Sequence, residues 1–325
     1  MPPTEEPAPR AQALSSVRGI ELPGSWERLR QPVPPRVLHA LRGGARRYGS
    51  LTASQRPLPD FLIIGAKKAG TSSLLNWLLR HPAVGRMFPA PQALKSPHYF
   101  DINYWRGPTW YASHFPSRSA RRRQERRAGG ITVVGEASPY YMFHPAVPDR
   151  VRTTLPGARI IVLLRDPVSR AYSNYWDRRA FGTEDLPTFE QAIEAEPQRL
   201  AEVDADRLLA DPRYYSMHHD HHTYLARGRY VEHLRPWTEQ VPPENLLVLR
   251  SDDLFKETEA TMAHIQRFLR LPVVSGLALH PYNTRSQPPL DVTMRARLAE
   301  YYRPFNAELY ALLGRDLGWE RTYPA

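Results

Sequence analysis

The stretch Asp60-Phe61-Leu62-Ile63-Ile64-Gly65-Ala66-Lys67-Lys68-Ala69-Gly70-Thr71-Ser72-Ser73-Leu74-Leu75 governs how the rest of the chain is read. Four apolar residues run into Gly65, as in a strand covered on both faces. Beyond the loop, Leu74, Leu75, Leu78 and Leu79 recur at helical spacing, and Thr71, Ser72 and Ser73 are hydroxyl residues of the kind that cap a helix start. Strand, small-residue loop and helix start in this order form a phosphate cradle. Free backbone N–H groups point at the anion, and the positive end of the helix dipole stands behind them. A plain Gly-containing βα turn is the alternative.

Gly65 and Gly70 enclose four residues, as in a P-loop, but Thr71-Ser72 stands where a Lys-Ser/Thr pair would follow the second glycine. The lysine has moved to Lys68. A cation there lies away from where a kinase holds its γ-phosphate, so a nucleoside triphosphate with Mg²⁺ fits poorly. The loop resembles instead the 5′-phosphosulfate loop of sulfotransferases that use 3′-phosphoadenosine 5′-phosphosulfate (PAPS). A nucleotide kinase is the rival.

At 325 residues, 42% hydrophobic and 24% charged, the chain has the composition of a soluble globular protein with one large core. It has no cysteine, which excludes disulfides, thiolate catalysis and Cys-ligated zinc, and points to the cytoplasm. No early apolar run suits a signal peptide, and no stretch reaches the roughly 18 apolar residues of a membrane span. The net charge of +11 invites polyanionic partners, but only four of the 44 basic residues are lysines. Such an arginine excess looks like coding bias, and no nucleic-acid module is visible, so no nucleic-acid partner is expected. Three of the four lysines, Lys67, Lys68 and Lys95, fall in candidate site motifs.

Residues 1–57 are proline-rich and read as a mostly irregular arm, with a short basic amphipathic helix around Val37–Arg47 that either packs on the domain or touches a membrane surface. Residues 58–325 form the domain. The aromatic run Tyr104, Trp105, Trp110, Tyr111 and Phe115 suits core better than a sugar-stacking wall. The six arginines within 118–127 suit a solvated face better than a docking site for an acidic polymer. Strands are predicted at Ile131–Val134, Ile160–Leu164 and Asn245–Leu249, with helices over 145–155, 168–181, 188–209 and 228–237, another to about Leu269, and Val292–Leu313 broken at Pro304. Alternation of this kind gives an α/β fold, a mainly parallel sheet flanked by helices, whose ligands bind at the carboxyl ends of strands. Helical spacing puts Arg165, at a strand tip, and Ser173 on one side. His218, His219, His221 and His222 around Asp220 suit a polar acceptor-side loop better than a metal site, and no metal is expected.

Four motifs stand in order: Gly65–Thr71; Lys95-Ser96-Pro97-His98-Tyr99-Phe100-Asp101; Val162–Pro167 with Ser173; and Tyr301–Asn306 with Leu317-Gly318-Trp319. From about Leu58 to the C-terminus this arrangement resembles the heparan sulfate glucosaminyl 3-O-sulfotransferases and the sulfotransferase half of the N-deacetylase/N-sulfotransferases. The resemblance implies a P-loop-like sulfotransferase fold. It implies that Lys67, Lys68, Ala69, Gly70, Thr71, Ser72 and Ser73 bind the 5′-phosphosulfate, and that Lys68 neutralises the bridging oxygen as the S–O bond breaks. Arg165 and Ser173 would bind the 3′-phosphate. Arg285 and Ser286 match the family's tail loop around the cofactor, where only the arginine of its Lys-Gly-Arg pattern survives.

Three departures concern the acceptor. Ser96 replaces the family's glutamate, described as the general base, so His98 is expected to serve as base with Asp101 positioning it. Lys95, Ser96 and Glu136 are expected to contact the acceptor, but Ala137 replaces the lysine that follows that glutamate in the family. The cysteine pair of the eukaryotic 3-O enzymes is also missing. The expected activity is transfer of a sulfuryl group from PAPS to an acceptor hydroxyl, less readily an amine, on a carbohydrate. A non-catalytic polyanion-binding relic is the second rival.

Overall fold

The computed structural model describes residues 35–90, 94–277, 279–280, 282 and 286–323. Five parallel strands form one sheet in the order β2-β3-β1-β4-β5: β1 Phe61–Gly65, β2 Val84–Gly85, β3 Val133–Ala137, β4 Arg159–Leu164 and β5 Leu246–Arg250. β1 lies in the middle, every residue of it buried, which is why its sequence is an unbroken apolar run. It pairs with β3 through Phe61↔Gly135 and Ile63↔Ala137, and with β4 through Phe61↔Arg159 and Ile63↔Ile161. A Cβ at Gly135 would fall 2.4 Å from the Phe61 ring, so glycine is needed for the two strands to approach.

The parallel arrangement brings the carboxyl ends of the strands, followed by Ala66, Ser138, Arg165 and Ser251, to one edge of the sheet. The opposite edge carries the arginine-rich segment, here a helix, Arg118–Ala128. Its Arg121 donates to Asp60 Oδ2 (2.8 Å) and to the Leu58 carbonyl (2.9 Å), at the residues that enter β1. The cluster of arginines therefore lies away from the phosphate cradle.

Several elements differ from their predicted form. β3 begins two residues later than expected, because Ile131 stays exposed and Val133 is the first residue to pair with β2; Glu136 thereby falls inside the strand. The segment 188–209 is three short helices, Phe189–Glu194, Glu196–Ala201 and Ala205–Ala210. The terminal helix Val292–Leu313 runs unbroken through Pro304, since burial of Tyr302 and Asn306 on either side outweighs the roughly 3 kcal/mol that an interior proline costs. The expected arm is less irregular than its prolines suggest: Pro35–Leu51 is one helix, and residues 1–34 lie outside the described set. Tyr48 meets Phe88 with ring centroids 6.2 Å apart, and Arg46 donates to the Phe88 carbonyl, so this helix packs on the domain. Of the aromatic run, Tyr111 and Phe115 are core, with Tyr111 stacked on Tyr99 at 4.3 Å.

Candidate functional site

The cradle forms where β1 ends. Gly70, at φ 99°, is the N-cap of the helix Thr71–Leu78, a left-handed conformation that favours glycine. The hydroxyl residues Thr71, Ser72 and Ser73, expected as caps, are the first helical residues instead. No side chain caps the helix, so its leading N–H groups remain available to an anion. Lys95 donates from Nζ to Thr71 Oγ1 (3.0 Å) and Ser72 Oγ (2.9 Å). Lys95, expected at the acceptor, thus reaches the cradle. Ser73, expected at the cofactor, faces the other way: its hydroxyl donates to the Tyr282 carbonyl (3.2 Å) and accepts from the Tyr282 N–H (2.9 Å). With Trp77 Nε1 donating to the His280 carbonyl (2.8 Å), it pins the tail just before residues 283–285. Arg285 lies outside the described residues, and Ser286 is exposed.

Both loop lysines are paired with carboxylates. Lys68 Nζ donates to Asp177 Oδ1 (2.8 Å), while Arg178 donates to Asp177 Oδ2 (2.5 Å). Burial pushes the Asp177 carboxyl up, but these two cations outweigh it and hold the pKa at about 2. Lys67, expected to touch the cofactor, instead donates to the Asp220 carbonyl (2.8 Å) and to Oδ1 (3.3 Å), with His221 Nδ1 3.1 Å away. Asp220 is buried, and although burial opposes ionisation, the charges around it, Lys67 and Arg227 among them, keep its carboxyl well below the usual range.

His219, His221 and His222 lie in and beside this charge network. Arg178 faces His221 Nδ1 at 2.9 Å, His219 Nδ1 meets the Tyr140 hydroxyl at 2.7 Å, and His222 Nε2 lies 2.6 Å from the Thr183 carbonyl. Burial, first of all, keeps His219 and His221 well below the ordinary imidazole value, so they are neutral. Among the described residues no group of His, Asp and Glu has the arrangement of a metal site.

The Lys95–Asp101 segment places His98 at φ 49°, with Nδ1 2.9 Å from Asp101 Oδ2. Ser138 donates to the same oxygen at 2.8 Å, and the Ile102 N–H donates to Asp101 Oδ1 at 2.8 Å. Burial lowers the His98 pKa, but Asp101 more than reverses that, and the net direction is upward. Held at Nδ1, the imidazole keeps Nε2 for other work, and Nε2 makes no hydrogen bond among the described residues. Asp220 is coupled electrostatically to both His98 and Lys67, which ties the dyad to the cradle.

Ser96 and Glu136, expected at the acceptor, are both buried. Glu136 is wholly buried and accepts hydrogen bonds from Ser96, Tyr111 (2.6 Å) and Tyr141 (3.1 Å). Its burial pushes the pKa up to about 7, although the three hydroxyls pull it down. Ser96 is buried as well, and its oxygen also accepts the His98 N–H at 2.9 Å. Together they hold up the floor beneath His98.

At the tip of β4, Arg165 donates to the Lys68 carbonyl (3.2 Å), and its own carbonyl accepts from Tyr230 (2.8 Å). Ser173, on the helix Pro167–Ala180, is half-buried, and its hydroxyl makes no hydrogen bond among the described residues. Sequence reasoning missed Asp177 and Arg178. Asp177 lies one helical turn beyond Ser173, and that spacing was available as a signal.

The sulfotransferase domain family matches residues 58–282. The chain is 27% identical over 327 residues to the membrane-associated sulfotransferase kil1 of Dictyostelium discoideum, covering 81% of this chain and 67% of that protein. It is 28% identical over 292 residues to heparan sulfate glucosamine 3-O-sulfotransferase 3B1 of Mus musculus, covering 82% of this chain and 66% of the relative. The chain thus spans about two thirds of the length of these relatives. The crystal structure of a sulfotransferase from Alicyclobacillus acidocaldarius superposes with a TM-score of 0.59 at 26% identity, over 82% of this chain and 99% of that one. The first of these likenesses overturns the cytoplasmic expectation, since that relative is named as membrane-associated. Among the described residues, no helix is long and apolar enough to cross a membrane. With a family match that covers the cradle, the His98–Asp101 dyad and the Arg165 strand tip, and a solved relative of the same fold, the chain belongs to the sulfotransferase family.

Proposed function

We propose that the chain transfers a sulfuryl group from PAPS to an acceptor hydroxyl, on a carbohydrate, and releases adenosine 3′,5′-bisphosphate. The observation that carries this reading is the meeting, at one sheet edge, of an uncapped helix start, three lysines around it and a His–Asp dyad whose Nε2 is uncommitted. PAPS supplies an activated sulfuryl group. The residues present fit it: the cradle suits the 5′-phosphosulfate, and Arg165 with Ser173 suits the 3′-phosphate. His98 Nε2 takes the proton from the acceptor hydroxyl as its oxygen bonds to sulfur, and Asp101 stabilises the imidazolium that results. Lys68, released from Asp177, meets the charge that develops on the departing 5′-phosphate.

The likeness to a 3-O-sulfotransferase supports a carbohydrate hydroxyl as acceptor. With Ala137 in place of lysine and Glu136 buried, nothing at those positions would hold an acidic group, so the hydroxyl's neighbourhood on the acceptor is better neutral than heavily sulfated. A kinase lacks the lysine it needs after Gly70, and the dyad argues against a relic without chemistry.

The test is calorimetric titration with adenosine 3′,5′-bisphosphate and with AMP, on wild type and Arg165→Ala, beside an assay of labelled sulfate transfer to glucosamine-containing oligosaccharides. Binding that needs both the 3′-phosphate and Arg165 supports the reading. Equal binding of the two nucleotides, or none, refutes it.

A further inference from the structure

We propose that Lys95 is a donor-binding residue: its ammonium meets the 5′-phosphate end of the donor from the β3 side of the cradle, and donor binding draws a proton onto it. The inference rests on the sulfotransferase reading above. The Lys95 carbonyl accepts the Ala137 N–H at 3.0 Å, which tethers the residue to the carboxyl end of β3, the strand beside β1. From there the side chain crosses to the cradle and donates to Thr71 Oγ1 and Ser72 Oγ.

Lys95 differs from the other two cradle lysines in its partners, although burial lowers Lys67 as well, against the pull of Asp220. Lys67 is paired with Asp220 and Lys68 with Asp177, whereas no carboxylate pairs with Lys95 among the described residues. Its polar contacts are the two hydroxyls at the start of the phosphate-binding helix. The charged group that acts on it is Lys68, from the loop, with Asp177 behind; Thr71 and Ser72, from the helix, are neutral. An ammonium drawn from water without a counter-charge is unfavourable, and an anionic ligand on the cradle removes the penalty. Burial, then the like charge of Lys68, holds the Lys95 pKa at about 7 in the empty site. A phosphate beside it restores the charged form, and the proton comes from solvent.

The full chain is titrated with adenosine 3′,5′-bisphosphate at about pH 8, where the ligand's phosphates are already ionised, in two buffers of unlike ionisation enthalpy. Wild type is expected to take up close to one proton per bisphosphate bound. Lys95→Met should bind about tenfold more weakly or worse, with no uptake. Lys95→Arg should bind within a few-fold of wild type, also with no uptake, because its guanidinium is charged beforehand. Wild-type heats that do not depend on buffer overturn the proposal, as does undiminished affinity or persisting uptake in Lys95→Met. If Lys95→Met fails to fold, wild type and Lys95→Arg decide the matter alone. Failure of wild type to bind the bisphosphate at all is a distinct result, which refutes the sulfotransferase reading itself.

Discussion

Replacing Asp101 by asparagine isolates what a carboxylate does for His98. In the native site Asp101 Oδ2 lies 2.9 Å from His98 Nδ1 and also accepts from Ser138 at 2.8 Å. Burial alone would depress the imidazole, and Asp101 reverses this to leave it above its ordinary 6.5. Removing the adjacent carboxylate leaves burial less opposed, so the variant's imidazole should titrate below the wild-type value. A general base works when neutral. The acid limb of the wild-type rate profile therefore sits above 6.5, and in the variant it moves to lower pH. The maximal rate should nevertheless fall by about 10² to 10⁴, because an amide N–H facing Nδ1 favours the tautomer with its proton on Nε2. The assay is an NMR titration of the imidazole, identified by its loss in His98→Asn, run beside sulfuryl transfer across the same pH range. An unmoved midpoint, or a rate limb that does not follow the NMR value, refutes the role given to the dyad. Stability carries the same sign. The folded pKa of His98 is raised, so the pair's contribution is complete below the unfolded value and lost as pH rises through the folded one; Asp101→Asn should abolish that loss.

Asp177→Asn should strengthen bisphosphate binding by about two- to tenfold, because the ligand no longer competes with a carboxylate for Lys68, while lowering the melting temperature; calorimetry and thermal scans read the two effects. In wild type the Asp177 pair stabilises above the unfolded carboxylate value and fails as pH falls toward about 2, a loss the variant should not show. Glu136 behaves oppositely: with its pKa raised from 4.5 to about 7, the folded state binds the extra proton, so stability falls as pH climbs between those values, by about 3 kcal/mol. Glu136→Gln should flatten that slope in urea unfolding measured from acid to neutral pH.

The sheet was legible because its central strands are buried on both faces. Phe61–Ile64 and Ile160–Leu164 are buried apolar runs of this kind, and Asn245–Leu249 is an apolar run in a half-buried edge strand; all three fall within a residue or so of their predicted ends. β2 is two residues long and carries no periodic signal. The helix Pro35–Leu51 was half hidden by Gly43 and Gly44, which face open space and so neither help nor hinder packing. The local logic of the site was legible too: a glycine at φ 99° before a helix, and a histidine three residues before an aspartate. The partners of the lysines were not. Lys68 finds Asp177 across 109 residues and Lys67 finds Asp220 across 153, and such pairings are fixed by how helices dock on the sheet, not by spacing.

Glu136 shows how a matching motif leads to the wrong place when only its position in the chain is known. Glu136 matched a family pattern, but the start of β3 at Val133 turns its side chain into the core, where three hydroxyls take the contacts that an acceptor was expected to make. The arginine-rich segment, read as a solvated face in preference to a docking site for an acidic polymer, lies away from the cradle: Arg121 anchors that helix to Asp60 and Leu58, at the amino ends of the strands. Charge at that distance steers approach and is screened over about 10 Å by salt, whereas acceptor choice is made by groups within hydrogen-bonding reach of the transferred sulfuryl. On the proposed reading the group that matters there is His98, held by Asp101 at Nδ1 with Nε2 left for the acceptor's proton, and it calls for a hydroxyl that can give one up.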